Sequence, residues 1–311
     1  MSAETGDNTG LTAALFPGQG SQTIGMARDF YENSPAARTL LDQAEQTLPG
    51  LLTLMWEGPE EELQLTANQQ PALVAAGMAA FEAWREAGGA EPAFAAGHSL
   101  GEFTALVAAG ALPFAEALQL VRKRGEYMQE AVPAGEGAMA AILKLEADVI
   151  DAVCRETEGI VEVANLNAPG QTVISGEAAA VKAAGERLQR DRARVVPLKV
   201  SAPFHSSLMR PAATRLADDL AKVSFGPPRF GVLSNVTADL HEDHTRIAGL
   251  LEEQVTSAVR WVETMERLVE LGVKRFVEFG SGKVLTGLVS RTLGEARAVS
   301  VVDTATLQEA L

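Results

Sequence analysis

The chain has 311 residues, 47% of them hydrophobic and 22% charged, and a formal net charge of −15. That length and composition build a large core and exclude a disordered chain, while the acidic balance argues against nucleic acid, which needs a basic surface. Cys154 is the only cysteine, so no intrachain disulfide can form, and a reducing cytoplasm is the expected setting.

Residues 1–10 are polar and acidic and lack the charged-then-apolar pattern of an export signal, so they are expected to be a loose tail. Residues 11–16 form a short apolar run ended by Pro17-Gly18, which reads as strand then turn. Helical periodicity covers 36–48 and 71–87. A second apolar run, 92–96, stops at Gly97, and helices are expected over 102–109 and 114–131. The most apolar stretch, 103–121, is interrupted by Pro113, Glu116 and Gln119, so it reads as two buried helices and not a membrane span. Strand followed by helix, repeated, predicts an α/β fold with a mainly parallel sheet.

The middle of the chain has another rhythm. Strands are expected at 137–144, 160–165, 171–175 and 194–200, helices at 147–156 and 177–190, with Asn167-Ala168-Pro169-Gly170 as a joining loop. This βαββαβ order is that of the ferredoxin-like unit. The large-domain pattern resumes after Pro203 and includes a strand at 273–279 and a helix from Lys283. The predicted architecture is a discontinuous large α/β-hydrolase-like domain, 1–132 and 203–311, carrying a ferredoxin-like subdomain inserted at 133–202.

Gly97-His98-Ser99-Leu100-Gly101 is a G-x-S-x-G sequence between a predicted strand and a predicted helix, the setting of a nucleophile elbow. Glycines flank Ser99 because so sharp a turn leaves no room for side chains there. The bend exposes the Ser99 hydroxyl and aims the Leu100 amide at a developing oxyanion. A serine needs a base. Of four histidines, His98 adjoins the nucleophile and should point away, and His241 and His244 lie in an acidic segment expected to be solvated. His205 remains. No acid stands out as its orienter, since Asp148, Asp151 and Asp191 fall on solvated faces of the insert; a backbone carbonyl would serve as well. Cys154 sits in a helical stretch and is assigned no role.

Gly18-x-Gly20 after a strand hints at dinucleotide binding, but Thr23 occupies the third-glycine position, and Leu285 does so after Gly280-Ser281-Gly282. Lys182, Arg187, Arg190, Arg192 and Arg194 cluster within the insert of an acidic protein, either as a solvated helix end or as a docking patch for an acidic partner, which the resemblance described next makes an acidic carrier protein or CoA phosphates.

Six segments taken together resemble the malonyl-CoA:acyl carrier protein transacylase family. They are Phe16-Pro-Gly-Gln-Gly-Ser-Gln22, Gly97-His-Ser-Leu-Gly-Glu102, Arg122-Lys-Arg-Gly125 with Met128–Pro133, Asn165–Gly176, Ser201-Ala-Pro-Phe-His-Ser206 and Phe279-Gly-Ser-Gly-Lys-Val-Leu285. The resemblance spans residues 11–302 in order. It implies malonyl transfer from malonyl-CoA to the phosphopantetheine thiol of acyl carrier protein, by way of a malonyl-serine, in fatty acid or polyketide synthesis. It implies Ser99 as nucleophile, His205 as general acid/base, the Gln19 and Leu100 amides as oxyanion hole, and a carbonyl near Gln254 as orienter of His205. Arg124 matches the residue that grips the malonyl carboxylate. Phe204 resembles the malonyl-selective version of its motif, and Asn165 lines the substrate site. No metal and no resident cofactor are implied, the CoA thioester being substrate. The expected state is a monomer without membrane or nucleic-acid partners. Competing readings are a serine esterase or thioesterase, which shares the elbow, and a non-catalytic binding module.

Overall fold

The computed structural model describes residues 10–200 and 202–311. The expected tail therefore lies almost wholly outside the described residues, as does Ser201. Among the described residues nine strands form two sheets. β1 (Leu11–Phe16), β2 (Phe94–Gly97), β7 (Gly231–Leu233), β8 (Val273–Phe279) and β9 (Arg297–Val301) make a parallel sheet in the order β7-β2-β1-β8-β9. β3 (Gly137–Leu143), β4 (Val161–Ala168), β5 (Gln171–Glu177) and β6 (Arg194–Pro197) make an antiparallel sheet in the order β4-β5-β3-β6. In the large sheet the chain order runs outward from β1 in both directions. Such a sheet has a crevice beyond the carboxyl ends of its strands where ligands bind.

β1 is central because Ala13, Ala14, Leu15 and Phe16 have no exposed surface, as expected of a parallel strand covered on both faces. The long helix Thr66–Glu86 is buried on nearly every side. Its Phe81 and Trp84 rings pack on Phe279 at 5.3 Å, tying helix to sheet. The small sheet has its own apolar layer, with Ile142, Ile150, Ile174 and Leu188 fully buried. Cys154 belongs to this layer, and burial pushes its thiol up to about 12, which leaves it inert at neutral pH. The small sheet is tied to the rest of the chain where β4 bridges Val259: Val259 N–H donates to Ala164 and Leu166 N–H to Val259, both at 2.9 Å.

Several elements differ from expectation. β4 runs on to Ala168, so the turn to β5 is only Pro169-Gly170, with Gly170 at φ 67°. β6 ends at Pro197, and residues 198–200 peel away to line a cleft. The helices Arg28–Asn33, Leu51–Glu57 and Glu60–Leu63 are too short for their periodicity to stand out in the sequence. Among the described residues no helix is long and apolar enough to cross a membrane.

Candidate active site

β2 ends at Gly97, and the chain turns through His98 and Ser99 into the helix Gly101–Ala108. Ser99 holds φ at 51°, in the left-handed region that L-residues rarely adopt. A Cβ on Gly97 would lie 1.8 Å from the Gly101 carbonyl carbon, and one on Gly101 would lie 2.0 Å from the Phe16 oxygen. Neither position can hold any other residue without moving backbone, which is why the elbow has glycine at both.

Ser99 Oγ lies 2.7 Å from His205 Nε2. His205 Nδ1 lies 2.9 Å from the Gln254 carbonyl and 3.1 Å from that of Ser257. Carbonyls only accept, so the neutral ring carries its proton on Nδ1, and Nε2 is left to accept from the Ser99 hydroxyl. Backbone thus fixes the tautomer in place of a carboxylate. His205 is buried, at φ 57°. Burial, then the nearby Arg124 cation, push its pKa down to about 3 against the pull of the two carbonyls. The imidazole is therefore neutral, and able to take a proton, throughout the physiological range.

Arg124 projects from the helix Phe114–Glu130 and is wholly buried. Its Nη1 donates to Gln70 Oε1 at 2.9 Å, and its Nη2 to Gln254 Oε1 at 3.0 Å and Ser99 Oγ at 3.2 Å. Its guanidinium lies over the Phe103 ring at 5.5 Å. Among the described residues Nε has no partner, and no carboxylate lies within ion-pairing distance of the group. Burial lowers its pKa to about 10, with Glu102 opposing, so it remains a cation at neutral pH.

Leu100 follows the nucleophile at the start of the helix, and Gln19 lies in the loop after β1 with its Nε2 donating to Gln69 Oε1 at 2.6 Å. Among the described residues neither backbone amide is matched to a protein acceptor, so both are available to an oxyanion. Phe204 and Gln19 line one cleft of about 780 Å³ together with Leu198 and Val200. A second cleft, of about 610 Å³, reaches His205 from the side of Leu166, Thr256 and Arg260. Asn165 is buried on β4, and no hydrogen bond joins it to Ser99, His205 or Arg124. His98 turns away from the nucleophile, its Nε2 2.7 Å from Asn167 Oδ1.

The expectation that His241 is solvated is wrong. His241 N–H donates to the Val232 carbonyl, and a bridge between Leu233 and Leu240 folds its segment back under β7. Its ring is buried with Nε2 2.8 Å from Glu102 Oε1. Three further residues were not legible in the sequence. Asn235 clamps the elbow, accepting from Ser99 N–H at 2.6 Å and donating to the Gly97 carbonyl at 2.7 Å. Glu102 is fully buried and accepts from the Asn235 amide. Gln70 holds Arg124. The one available signal was the apolar residue before His241, Leu240, inside a polar run.

A serine in left-handed backbone with a neutral imidazole at its oxygen, followed by an unmatched amide at a helix start, defines an enzyme of the serine acyl-transfer class. Comparison narrows the class. The acyl transferase domain family matches residues 14–308, nearly the whole chain, and the chain belongs to that family. The malonyl CoA-acyl carrier protein transacylase of Bacillus subtilis is 48% identical over 304 residues, covering 96% of each chain. That of Escherichia coli K12 is 43% identical over 303 residues, covering 96% of this chain and 98% of its own. The crystal structure of an acyl-carrier-protein S-malonyltransferase from Burkholderia pseudomallei superposes with a TM-score of 0.94 at 46% identity, covering 96% and 99% of the two chains. A malonyl-transacylase solved in complex with its type II PKS acyl-carrier protein gives 0.94 at 44% identity, covering 97% and 99%.

Proposed function

We propose that this acyltransferase moves a malonyl group from malonyl-CoA to the phosphopantetheine thiol of an acyl carrier protein, supplying extender units for fatty acid or polyketide synthesis. Ser99 Oγ attacks the thioester carbonyl and gives its proton to His205 Nε2. The oxyanion sits against the Leu100 and Gln19 amides. Collapse expels the CoA sulfur, which takes the proton from His205. In the second half the carrier thiol surrenders its proton to His205, its sulfur attacks the acyl-Ser99 ester, and Ser99 leaves reprotonated. Nucleophile, base and oxyanion donors are all the chain's own, so the reading needs no resident cofactor. It takes the enzyme as a monomer in the cytoplasm. Phe204 and Asn165 are assigned to the wall of the acyl pocket.

The observation that carries the malonyl assignment is Arg124, a buried cation with no carboxylate at ion-pairing distance among the described residues, whose Nη2 stands 3.2 Å from the nucleophile. Burying a charge is costly unless it is paired. A substrate bearing its own carboxylate completes the pair, and the planar fork of arginine suits that group. Mass spectrometry of the acyl-enzyme with malonyl-, methylmalonyl- and acetyl-CoA tests the reading. Wild type should carry a malonyl adduct that carrier protein removes. Ser99→Ala should carry none, and Arg124→Ala should lose the preference for the acid over acetyl. Free malonate appearing faster than malonyl-carrier would point to a hydrolase. An unmodified wild-type mass would point to a binding module.

A further inference from the structure

The side chain of Gln254 touches both Arg124 and the Ser99 carbonyl, and its orientation is imposed by a carboxylate that contacts neither Arg124 nor the Ser99 hydroxyl. Its Oε1 accepts from Arg124 Nη2 at 3.0 Å; its Nε2 donates to Glu102 Oε2 at 2.7 Å and to the Ser99 carbonyl at 3.0 Å. Its main-chain carbonyl accepts from His205. An amide has two faces of similar shape, and flipping it would turn NH₂ toward the guanidinium, donor against donor. Glu102 Oε2 already accepts from the Asn235 backbone N–H, so it presents an acceptor and fixes the amide with its NH₂ toward Glu102. Glu102 is in turn held by His241 Nε2 at 2.8 Å and the Asn235 amide at 3.0 Å.

We propose that Glu102, anchored by His241, is a positioning residue that sets acyl-group selectivity by holding the Gln254 amide with its oxygen toward Arg124. The proposal rests on the reading of Arg124 as the carboxylate-binding group. Glu102 touches no reacting atom and acts through Gln254. It is also the carboxylate whose field sustains the Arg124 cation. The titratable groups around that cation are Glu102 and His205, with His241 behind Glu102. On the outer face of the same helix Lys123 and Tyr127 pair with Asp219 and Arg122 with Glu126, so no other unpaired carboxylate from those contacts can replace Glu102.

The test compares wild type, Glu102→Gln, Glu102→Asp and Arg124→Ala for kcat/KM of Ser99 acylation by malonyl-CoA and acetyl-CoA, across pH 6 to 10. Glu102→Gln should lower the malonyl-to-acetyl ratio by ~10-fold, through KM for malonyl-CoA, the size expected when a hydrogen bond to a charged group is lost. Its alkaline limb with malonyl-CoA should move down by about one pH unit as the cation loses its neighbouring charge. Glu102→Asp, which keeps the charge, should restore the limb even if slower, and it keeps the test open should the Gln variant fold poorly by circular dichroism. Equal slowing of both acyl groups with an unmoved limb would reduce Glu102 to a structural role and overturn the proposal. If Arg124→Ala keeps wild-type selectivity, the carboxylate-binding reading itself fails, whatever Glu102 does.

Discussion

Asn235→Ala removes the clamp on the elbow, and its cost can be worked from two bonds. Ser99 N–H loses its acceptor at 2.6 Å and the Gly97 carbonyl its donor at 2.7 Å. A buried polar group left unmatched costs about 1–3 kcal/mol, which brackets the loss at about 2–6 kcal/mol. Ser99 is only half-buried, so water can reach one end, and the left-handed Ser99 backbone releases about 1–3 kcal/mol of strain when freed. The expected net destabilisation is therefore about 2–3 kcal/mol. Catalysis should suffer more than folding, because the relaxed elbow no longer presents Oγ to His205, and misplacement by about an ångström costs ~100-fold. Urea unfolding followed by circular dichroism gives the first quantity. Single-turnover acylation followed by intact-mass spectrometry gives the second. Acylation within about threefold of wild type would show that the elbow holds itself and that this reasoning is wrong.

Four further outcomes are expected. The acylation rate should stay level from pH 8 to below pH 5, because His205 remains unprotonated down to about 3, and an inflection near 6.5 would contradict its environment. The same depressed pKa makes the unfolded chain bind the extra proton, so this contribution to stability is whole above pH 6.5 and is lost as pH falls from 6.5 toward 3; His205→Gln should flatten the slope of Tm against pH in that window. Joint Arg190→Glu and Arg192→Glu substitution should raise KM for carrier protein several-fold and spare acylation by malonyl-CoA, and an unchanged KM would remove the basic stretch from docking. Phe204→Ala should raise acylation by methylmalonyl-CoA relative to malonyl-CoA by ~10-fold, a methyl-sized discrimination read by competition between the two thioesters.

The elbow was legible because its geometry is local: the residues that make the turn tight lie within five positions of one another. The antiparallel unit was legible because strand and helix periodicities succeed one another in the order βαββαβ from β3 to β6. Arg124 was legible only through family resemblance, since Arg122-Lys123-Arg124 alone reads as a solvated helix face. Asn235, Glu102 and His241 escaped for another reason. Their bonds join positions 133 to 139 apart, and nothing in a lone polar residue records what the fold will set against it. His241 is the clearest case. Acidic neighbours suggested solvent, but a single bridge at Leu240 drew it inside.

Holding the imidazole by peptide oxygens has a chemical corollary. A partnering carboxylate would make the ring eager for protons; here burial and the Arg124 cation outweigh the two carbonyls and leave it reluctant. In the proposed reaction the ester on Ser99, a residue only half-buried, must wait between half-reactions for a sulfhydryl. A sulfhydryl ionises near pH ~8.5, but water only near ~16, so a feeble proton acceptor can still assist the former and gives almost no help to the latter. The same weakness that keeps the ring uncharged thus protects the stored acyl group from being wasted.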